Sequence, residues 1–334
     1  MKYSVLMSIY KNDNPYFLKI ALESIYDKQT RKPDEIVVVF DGKLTECLYE
    51  VLNNFKEGKE DIVFYYPQET NQGLGQSLKI GTEKCTGDYI FRMDADDISV
   101  PDRFEKQIDY IEKHPEIDVL GANISEFYSS PENEKMRVRV CPKKHNDIVR
   151  MAKKRNPMNH VTVCIKKATL LKVGGYETML LMEDYYLWIK IIVFGFRLEN
   201  MNESLVYVRI GNGFEKRRGQ KSQISSWRKL QRYMLTNKII GVMQATFNMI
   251  NIIAYVYCPN FIRNFAYEKL LRKCDKQKSN LSKKPFENTN LCPKCETGKK
   301  MLALDDKEPM CPYISQYNNK NCTMYMPINK GKVN

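Results

Sequence analysis

The chain has 334 residues, 43% hydrophobic and 28% charged, enough to bury a substantial core in one large domain or two modest ones. Sixteen glycines and fourteen prolines exclude a collagen-like chain, and the hydrophobic content excludes wholesale disorder; no charge-free apolar run near Met1 suggests a cleaved signal peptide, so a cytosolic protein is expected. The net charge of +13 is unevenly placed: residues 1–210 hold 30 Lys and Arg against 32 Asp and Glu, and residues 211–334 hold 23 against 8, which points the tail toward an anionic partner.

Residues 3–9 read as a strand. Pro15 then suits a first helical turn, which tolerates a missing N–H, and Phe17, Ile20, Ala21, Ser24 and Ile25 recur at helical spacing. Residues 36–40 form a nearly continuous apolar run, as expected of a strand covered on both faces, and Leu44, Leu48, Leu52 and Phe55 follow with a helical period. The alternation continues with strand 61–66, helix 74–84, strand 88–93, helix 101–113 and strand 117–120. Such βα repeats predict a doubly wound α/β domain with a mostly parallel sheet. Residues 160–165 read as a short strand, Gly174-Gly175 as a turn and 183–193 as a helix. Glu183 and Asp184 stand in the first turn of that helix, where orphan N–H groups favour negative charge, and Trp188 belongs to its apolar side. Residues 196–200 and 204–210 read as strands that complete the same domain.

Beyond 210 the composition changes. Residues 215–238 carry eight Lys and Arg, residues 239–258 carry no charge at all, and residues 263–284 carry another eight basic side chains. The uncharged stretch has the length of a membrane span, but Gln244, Asn248 and Asn251 lower its hydrophobicity on one helical face. Positive flanks at both ends fit a helix lying in, or re-entering from, the cytoplasmic interface; the alternative is an ordinary buried or oligomer-forming helix. Six of the ten cysteines are scattered through apolar segments and read as buried thiols. The other four, Cys292, Cys295, Cys311 and Cys322, have the spacing of two knuckles that supply thiolates to a structural Zn2+, against free thiols or a disulfide. The expected organisation is a catalytic domain over 1–210, a basic helical region over 211–284 and a small cysteine-containing tail over 285–334.

In a doubly wound sheet, ligands bind beyond the carboxyl ends of the strands. Four polar stretches close the strands on that rim: residues 8–13, Asp41-Gly42, residues 71–75 and residues 94–97. Asp94-Ala95-Asp96-Asp97 is the sharpest of them, because clustered carboxylates repel unless a cation compensates them. Oxygen ligands from Asp94 and Asp96 for Mn2+ or Mg2+ are one reading, and helix caps or a solvated turn are the other. Asp41-Gly42 is either a turn or an acceptor for a ribose or base edge. Asn71 opens the loop Asn71-Gln72-Gly73-Leu74-Gly75, whose glycines permit close backbone approach to a ligand, although it lacks the spacing of a dinucleotide or phosphate-loop fingerprint.

The stretches SVLMSIYKNDNPYFLKIALESIYDKQT, PDEIVVVFDG, NQGLGQSLK, GDYIFRMDADDISVPDRFEKQ, NPMNHVTV, GGY and EDYYLWIKIIVFG, in that order over residues 2–210, closely resemble the family 2 glycosyltransferases that build bacterial capsule, exopolysaccharide and lipopolysaccharide sugars. The resemblance implies a nucleotide-diphospho-sugar transferase fold of the GT-A type and an inverting, metal-dependent transfer from a nucleotide-sugar donor to a glycan or lipid-linked saccharide acceptor. It places Ser8 and Tyr10 along the nucleotide pocket, Asp41 at the nucleoside, Asp94 at the ribose, Asp96 on the metal and Asp184 as catalytic base, with Glu183 tuning it or holding the acceptor. His160 either positions phosphates or acceptor or is structural. The chain departs from the family's pattern at Phe40, where an acidic residue is common, and at Ser77-Leu78-Lys79, where Ala-Leu-Asn is common. The basic tail then implies an anionic membrane surface, on the inner face of the plasma membrane, as partner. The rival is a non-catalytic protein that binds nucleotide or nucleic acid through a basic zinc-ribbon tail; nucleic acid is not expected, because an acidic rim repels phosphate and the aromatics form no evident stacking platform.

Overall fold

A computed structural model describes residues 1–128, 131, 136–210 and 223–258, with the backbone of 273–274. The first strand, β1 (Tyr3–Ile9), is followed by α1 (Pro15–Ile25), β2 (Glu35–Phe40), α2 (Glu46–Lys56), β3 (Val63–Pro67), α3 (Leu74–Lys84) and β4 (Tyr89–Met93). Asn14 caps α1 by accepting from the N–H groups of Tyr16 at 2.9 Å and Phe17 at 3.4 Å, and Pro15 fills the first turn as the spacing predicts. After the short β5 (Ile98–Ser99) come α4 (Arg103–Lys113), β6 (Val119–Phe127), β7 (Arg137–Arg139), α5 (His145–Ala152), β8 (Cys164–Lys166), α6 (Lys167–Lys172), α7 (Glu183–Val193) and β9 (Leu198–Arg209). Two further helices, α8 (Gln223–Thr236) and α9 (Val242–Tyr257), and the two-residue β10 (Lys273–Cys274) end the described chain.

The strands form a single sheet in the order β10-β7-β6-β8-β4-β1-β2-β3, with β9 beside β6 and β5 beside β9. Strands β4, β1, β2 and β3 run parallel, with Met7 level with Met93 and Ile9 level with Phe40. Their carboxyl ends therefore open on one rim. Beyond β4 the direction reverses, since β8 is antiparallel to both β4 and β6.

Alternate residues of the parallel strands feed two cores. Val5, Met7 and Ile9 of β1 with Ile36, Val38 and Phe40 of β2 pack with α1, α2 and α4, while Leu6, Val37 and Val39 pack on the other face with Leu78 of α3, Leu170 of α6 and Trp188 of α7. This is the three-layer arrangement expected of βα repeats. A third cluster joins the far side of α7, through Tyr185, Tyr186 and Ile189, to Leu230 and Met234 of α8 and Ala245 of α9.

Four expectations change in detail. Residues 160–165 are not one strand: His160–Thr162 make a 3-10 turn and only Cys164–Lys166 pair. The paired part of β6 runs from Val119 to Phe127, well past the predicted end at 120, because β9 pairs alongside it, and the two strands predicted at 196–200 and 204–210 are one strand with an irregularity opposite Ala122 to Ile124. Among the scattered cysteines, Cys85, Cys141 and Cys164 are buried, but Cys258 is half-buried and Cys47 is exposed, on the outer side of α2. Residues 1–128 and 136–276 gather into one unit, and 129–135 with 277–334 into a second. Apart from Pro131, that second unit lies outside the described residues, and so do Cys292, Cys295, Cys311 and Cys322 and the expected boundary stretch 211–222.

Candidate active site

The rim at the ends of the parallel strands brings together most of the polar stretches singled out in the sequence. Ser8 lies at the end of β1, one residue past the level of Met93, and is half-buried. Tyr10 follows in a turn closed by the bond from its N–H to Asp13 Oδ2 at 2.9 Å. Asp41, just past β2, is buried, and its carboxylate organises the neighbouring loop: Oδ1 accepts from Gln72 N at 2.7 Å and Oδ2 from Gly73 N at 3.1 Å. Gly42 has φ +85, and a Cβ there would lie 2.9 Å from Asn71 N, so glycine is required both by conformation and by the close approach of the two loops. Asn71 itself is exposed, with Nδ2 donating to Asp41 O at 3.3 Å.

At the end of β4 the carboxylates alternate: Asp94 and Asp96 are half-exposed, and Ala95 and Asp97 are buried. Asp94 is held by a salt bridge from Arg92 Nη2, whose side chain is buried in β4. Asp97 turns inward, accepts from Arg209 N at 2.9 Å and so ties the end of β9 to the rim. Burial pushes the Asp97 carboxyl well above its ordinary range, and the neighbouring Asp96 and Asp94 add to the shift. That mutual repulsion, on hard oxygen donors at a half-exposed strand exit, fits Mg2+ or Mn2+. No group of three or more His, Cys, Asp or Glu able to hold a metal occurs among the described residues. Asp94 and Asp96 would thus supply only part of a coordination shell, as is usual when phosphates and water complete it.

Helix α7 delivers the other carboxylates. Asp184 Oδ1 accepts from Tyr185 N at 2.7 Å, in keeping with a helix start, while Oδ2 accepts from Asn156 Nδ2 at 2.6 Å. Glu183 is mostly buried, and burial with the Asp184 charge beside it raises its pKa to about 7. The first turn of α3 abuts this turn: a Cβ on Gly75 would lie 2.8 Å from Glu177 O and 3.0 Å from Glu183 Cγ. Leu181, two residues before Glu183, has φ 59, a region that β-carbon sterics disfavour.

The charges of both groups of carboxylates act on Tyr176. This tyrosine is buried, its hydroxyl lies 2.9 Å from His160 Nε2, and its ionisation is opposed first by burial and then by the charges of Asp184 and Asp94. His160 is held well below its ordinary pKa by burial and by Arg92, so its imidazole is neutral at neutral pH. Its ring also lies edge-on to Trp188, which is buried as expected. Sequence reasoning missed Arg92, Asn156 and Tyr176 as site residues. Arg92 carried a signal, a charge within a buried strand two residues before Asp94; Asn156 and Tyr176 lie in the stretches NPMNHVTV and GGY that carry the resemblance, but what they touch arises from contacts between distant segments.

The profile of Glycosyl transferase family 2 matches residues 4–179. An uncharacterized glycosyltransferase of Haemophilus influenzae is 41% identical over 82% of this chain and 100% of its own length. The UDP-Gal:alpha-D-GlcNAc-diphosphoundecaprenol beta-1,3-galactosyltransferase of Escherichia coli is 35% identical over 81% of this chain and 97% of its own. Among solved structures, S. aureus TarS 1-349 in complex with UDP-GlcNAc superposes with a TM-score of 0.57 at 17% identity, covering 81% of this chain and 76% of that one. The mannosyltransferase PcManGT of Pyrobaculum calidifontis, in complex with GDP-Man and Mn2+, does so with a TM-score of 0.52 at 16% identity, covering 80% and 73%. The likeness to these structures is one of fold, the GT-A arrangement of a mostly parallel sheet. Matched by the family profile over more than half its length and by these relatives over four fifths of it, the chain belongs to glycosyl transferase family 2 and is a glycosyltransferase.

Proposed function

We propose that this enzyme transfers a hexose, with inversion, from a nucleotide-diphosphate donor to a hydroxyl of a lipid-linked or cell-surface glycan. The observation that carries the reading is a pair of held carboxylates at element ends, Asp94 paired with Arg92 at the exit of β4 and Asp184 oriented by Asn156 at the start of α7. Asp184, oriented by Asn156, takes the proton of the acceptor hydroxyl. The acceptor oxygen then forms a bond to the anomeric carbon from the face opposite the leaving group, and the bond to phosphate breaks with its electron pair leaving on the nucleoside diphosphate. A single displacement of this kind inverts the linkage. Ser8, Tyr10 and Asp41 line the nucleoside end of the rim, with Asn71 in the loop that Asp41 holds, and His160 stays neutral beside Tyr176 to position phosphate or acceptor. Asp94 and Asp96 would hold a divalent cation, Mn2+ or Mg2+, which when bound offsets negative charge on the diphosphate.

The relatives favour a uridine donor and a lipid diphosphate acceptor, since the Escherichia coli enzyme is named for UDP-Gal and a diphosphoundecaprenol acceptor and the S. aureus neighbour holds UDP-GlcNAc. Such an acceptor places the enzyme on the inner face of an anionic membrane as a peripheral protein, and the basic tail suits that surface. In the same reading Cys292, Cys295, Cys311 and Cys322 bind a structural zinc, checked by metal analysis of the full chain.

The test is release of nucleoside diphosphate from a panel of uridine, guanosine and thymidine diphospho-sugars, with a short lipid diphosphate saccharide as acceptor and Mn2+ or chelator present. One donor should be consumed, and Asp184→Asn should abolish transfer while donor still binds. Asp96→Asn should weaken metal-dependent donor binding. Turnover undiminished by chelator would remove the cation from the scheme, and turnover retained in D184N would remove Asp184 from the base role.

A further inference from the structure

Helix α9 reverses the polarity expected of a helix on a protein surface. Two of its polar residues are engaged on the protein side, while Thr246 and Asn251 stay exposed: Asn248 is buried, its Nδ2 donates to Lys153 O and Gln231 Oε1, both at 2.8 Å, and its Oδ1 accepts from Gln244 Nε2 at 2.8 Å. Ala245 and Ile252 are buried on that same side. The opposite side is apolar and open to solvent, with Met243 89%, Phe247 57% and Ile250 59% exposed. Continued by Ala254 and Tyr257, these positions fall within about 80° of arc on a helix of 3.6 residues per turn. A contiguous apolar face of this kind marks a contact surface.

Two observations select a lipid surface as its occupant. The first is charge: residues 216–267 contain nine Lys and Arg and no Asp or Glu. At the start of α9, Lys153 and Lys238 line a hollow of about 570 Å³ together with Ile239, Gly241, Val242 and Gln244. Lys238 sits there with φ 58 in the turn that leads into the helix. The second is length. Sixteen residues make a helix of about 24 Å, short of a hydrocarbon core of about 30 Å, and no helix among the described residues is long and apolar enough to cross a membrane. A second copy of the chain is a poorer occupant, because the sequence around α9 supplies basic residues but no acidic ones to pair across a two-fold contact.

We infer that the outer face of α9 is a docking surface for an anionic phospholipid bilayer, with Met243, Phe247 and Ile250 entering the acyl border and Lys153 and Lys238 meeting lipid phosphates. This rests on the proposed lipid-carried acceptor and names the face that meets the lipid. The helix lies in the plane of the interface, buried on one side by protein and on the other by lipid.

The full chain is floated with vesicles of phosphatidylcholine, with and without phosphatidylglycerol, beside the variant Met243→Asn/Phe247→Asn/Ile250→Asn; the wild type should float with anionic vesicles, and the variant should bind them at least about tenfold more weakly. Because the three side chains are exposed, the variant should melt with the wild type and retain nucleoside diphosphate release measured with a water-soluble acceptor. Lys153→Gln/Lys238→Gln should weaken flotation on anionic vesicles and leave any binding to neutral ones unchanged. Absence of wild-type flotation, or equal flotation of the triple variant, overturns the inference. So does a wild-type dimer that the triple variant converts to monomer while vesicle binding persists. Wild-type flotation lost in the triple variant upholds the surface even where every donor fails to turn over, an outcome that counts against the proposed transfer alone.

Discussion

Asp184 and Glu183 are neighbours held in different ways. Asp184 accepts from Asn156 at 2.6 Å and from the helix N–H of Tyr185, hydrogen bonds that favour and orient a carboxylate. If Asp184 is the base as proposed, Asn156→Ala is expected to lower kcat about ten- to a hundredfold, the worth of one charge-assisted hydrogen bond at that group, with donor KM unchanged, as steady-state kinetics would check. An equal rise in KM would make Asn156 a binding residue instead. Glu183, with a pKa near 7 against an ordinary value of 4.5, keeps a proton in the folded protein that it loses in the unfolded one. The native state therefore binds more protons between these two values, so stability falls as pH rises from about 4.5 to about 7 and is flat on either side, by about 3 kcal/mol from this group. Denaturant melts across that range should show the slope, and Glu183→Gln should flatten it.

At the scale of elements, α7 is the hub of the fold. Every residue from Tyr185 to Ile191 is buried, one side against the sheet through Leu187, Trp188 and Ile191 and the other against α8 and α9. A helix buried almost all round is positioned by packing rather than by its own propensity, which is how Asp184 is held at a fixed place on the rim. Trp188→Ala should cost about 3–5 kcal/mol by leaving a large cavity under His160, read as a shift in the denaturation midpoint. Gly75→Ala is a finer probe of the same junction. Its Cβ would collide with Glu177 O and Glu183 Cγ, and backbone cannot yield as a flexible side chain does. A loss of about 1–3 kcal/mol is expected, together with weaker donor binding through displacement of the 71–75 loop; binding measured by titration calorimetry separates the two effects.

For the molecule as a whole, the change of charge near 210 is a change of surface chemistry that does not interrupt the packing. Helices α8 and α9 lie beyond it, yet Leu230, Met234 and Ala245 cover Tyr185, Tyr186 and Ile189 of α7. A chain ended at residue 210 should therefore expose that cluster, melt more than about 5 °C lower than the full chain and self-associate, as thermal melts and light scattering would detect. An unchanged melting temperature would mean that the α7 cluster contributes little to the stability of the sheet.

The alternation of apolar runs and helical periods was sufficient by itself to place β1 to β4, α1 to α4 and α7, because strands buried on both faces and amphipathic helices write their period directly into neighbouring residues. It also marked Asp41, Asp94, Asp96, Glu183 and Asp184, since groups closing parallel strands or opening a helix share a rim or a helix terminus by construction. Short-range signals reach no further. Whether 160–165 pairs along its length, whether 196–210 is one strand or two, and what Asn156 and Tyr176 touch depend on neighbours far along the chain, so only the folded sheet decided them. The same holds for α9: the sequence showed Gln244, Asn248 and Asn251 gathered on one side, but tertiary packing put Asn248 against Gln231 and Lys153 and so turned the apolar side outward, because a buried amide that finds partners costs little while an unpaired one costs a great deal.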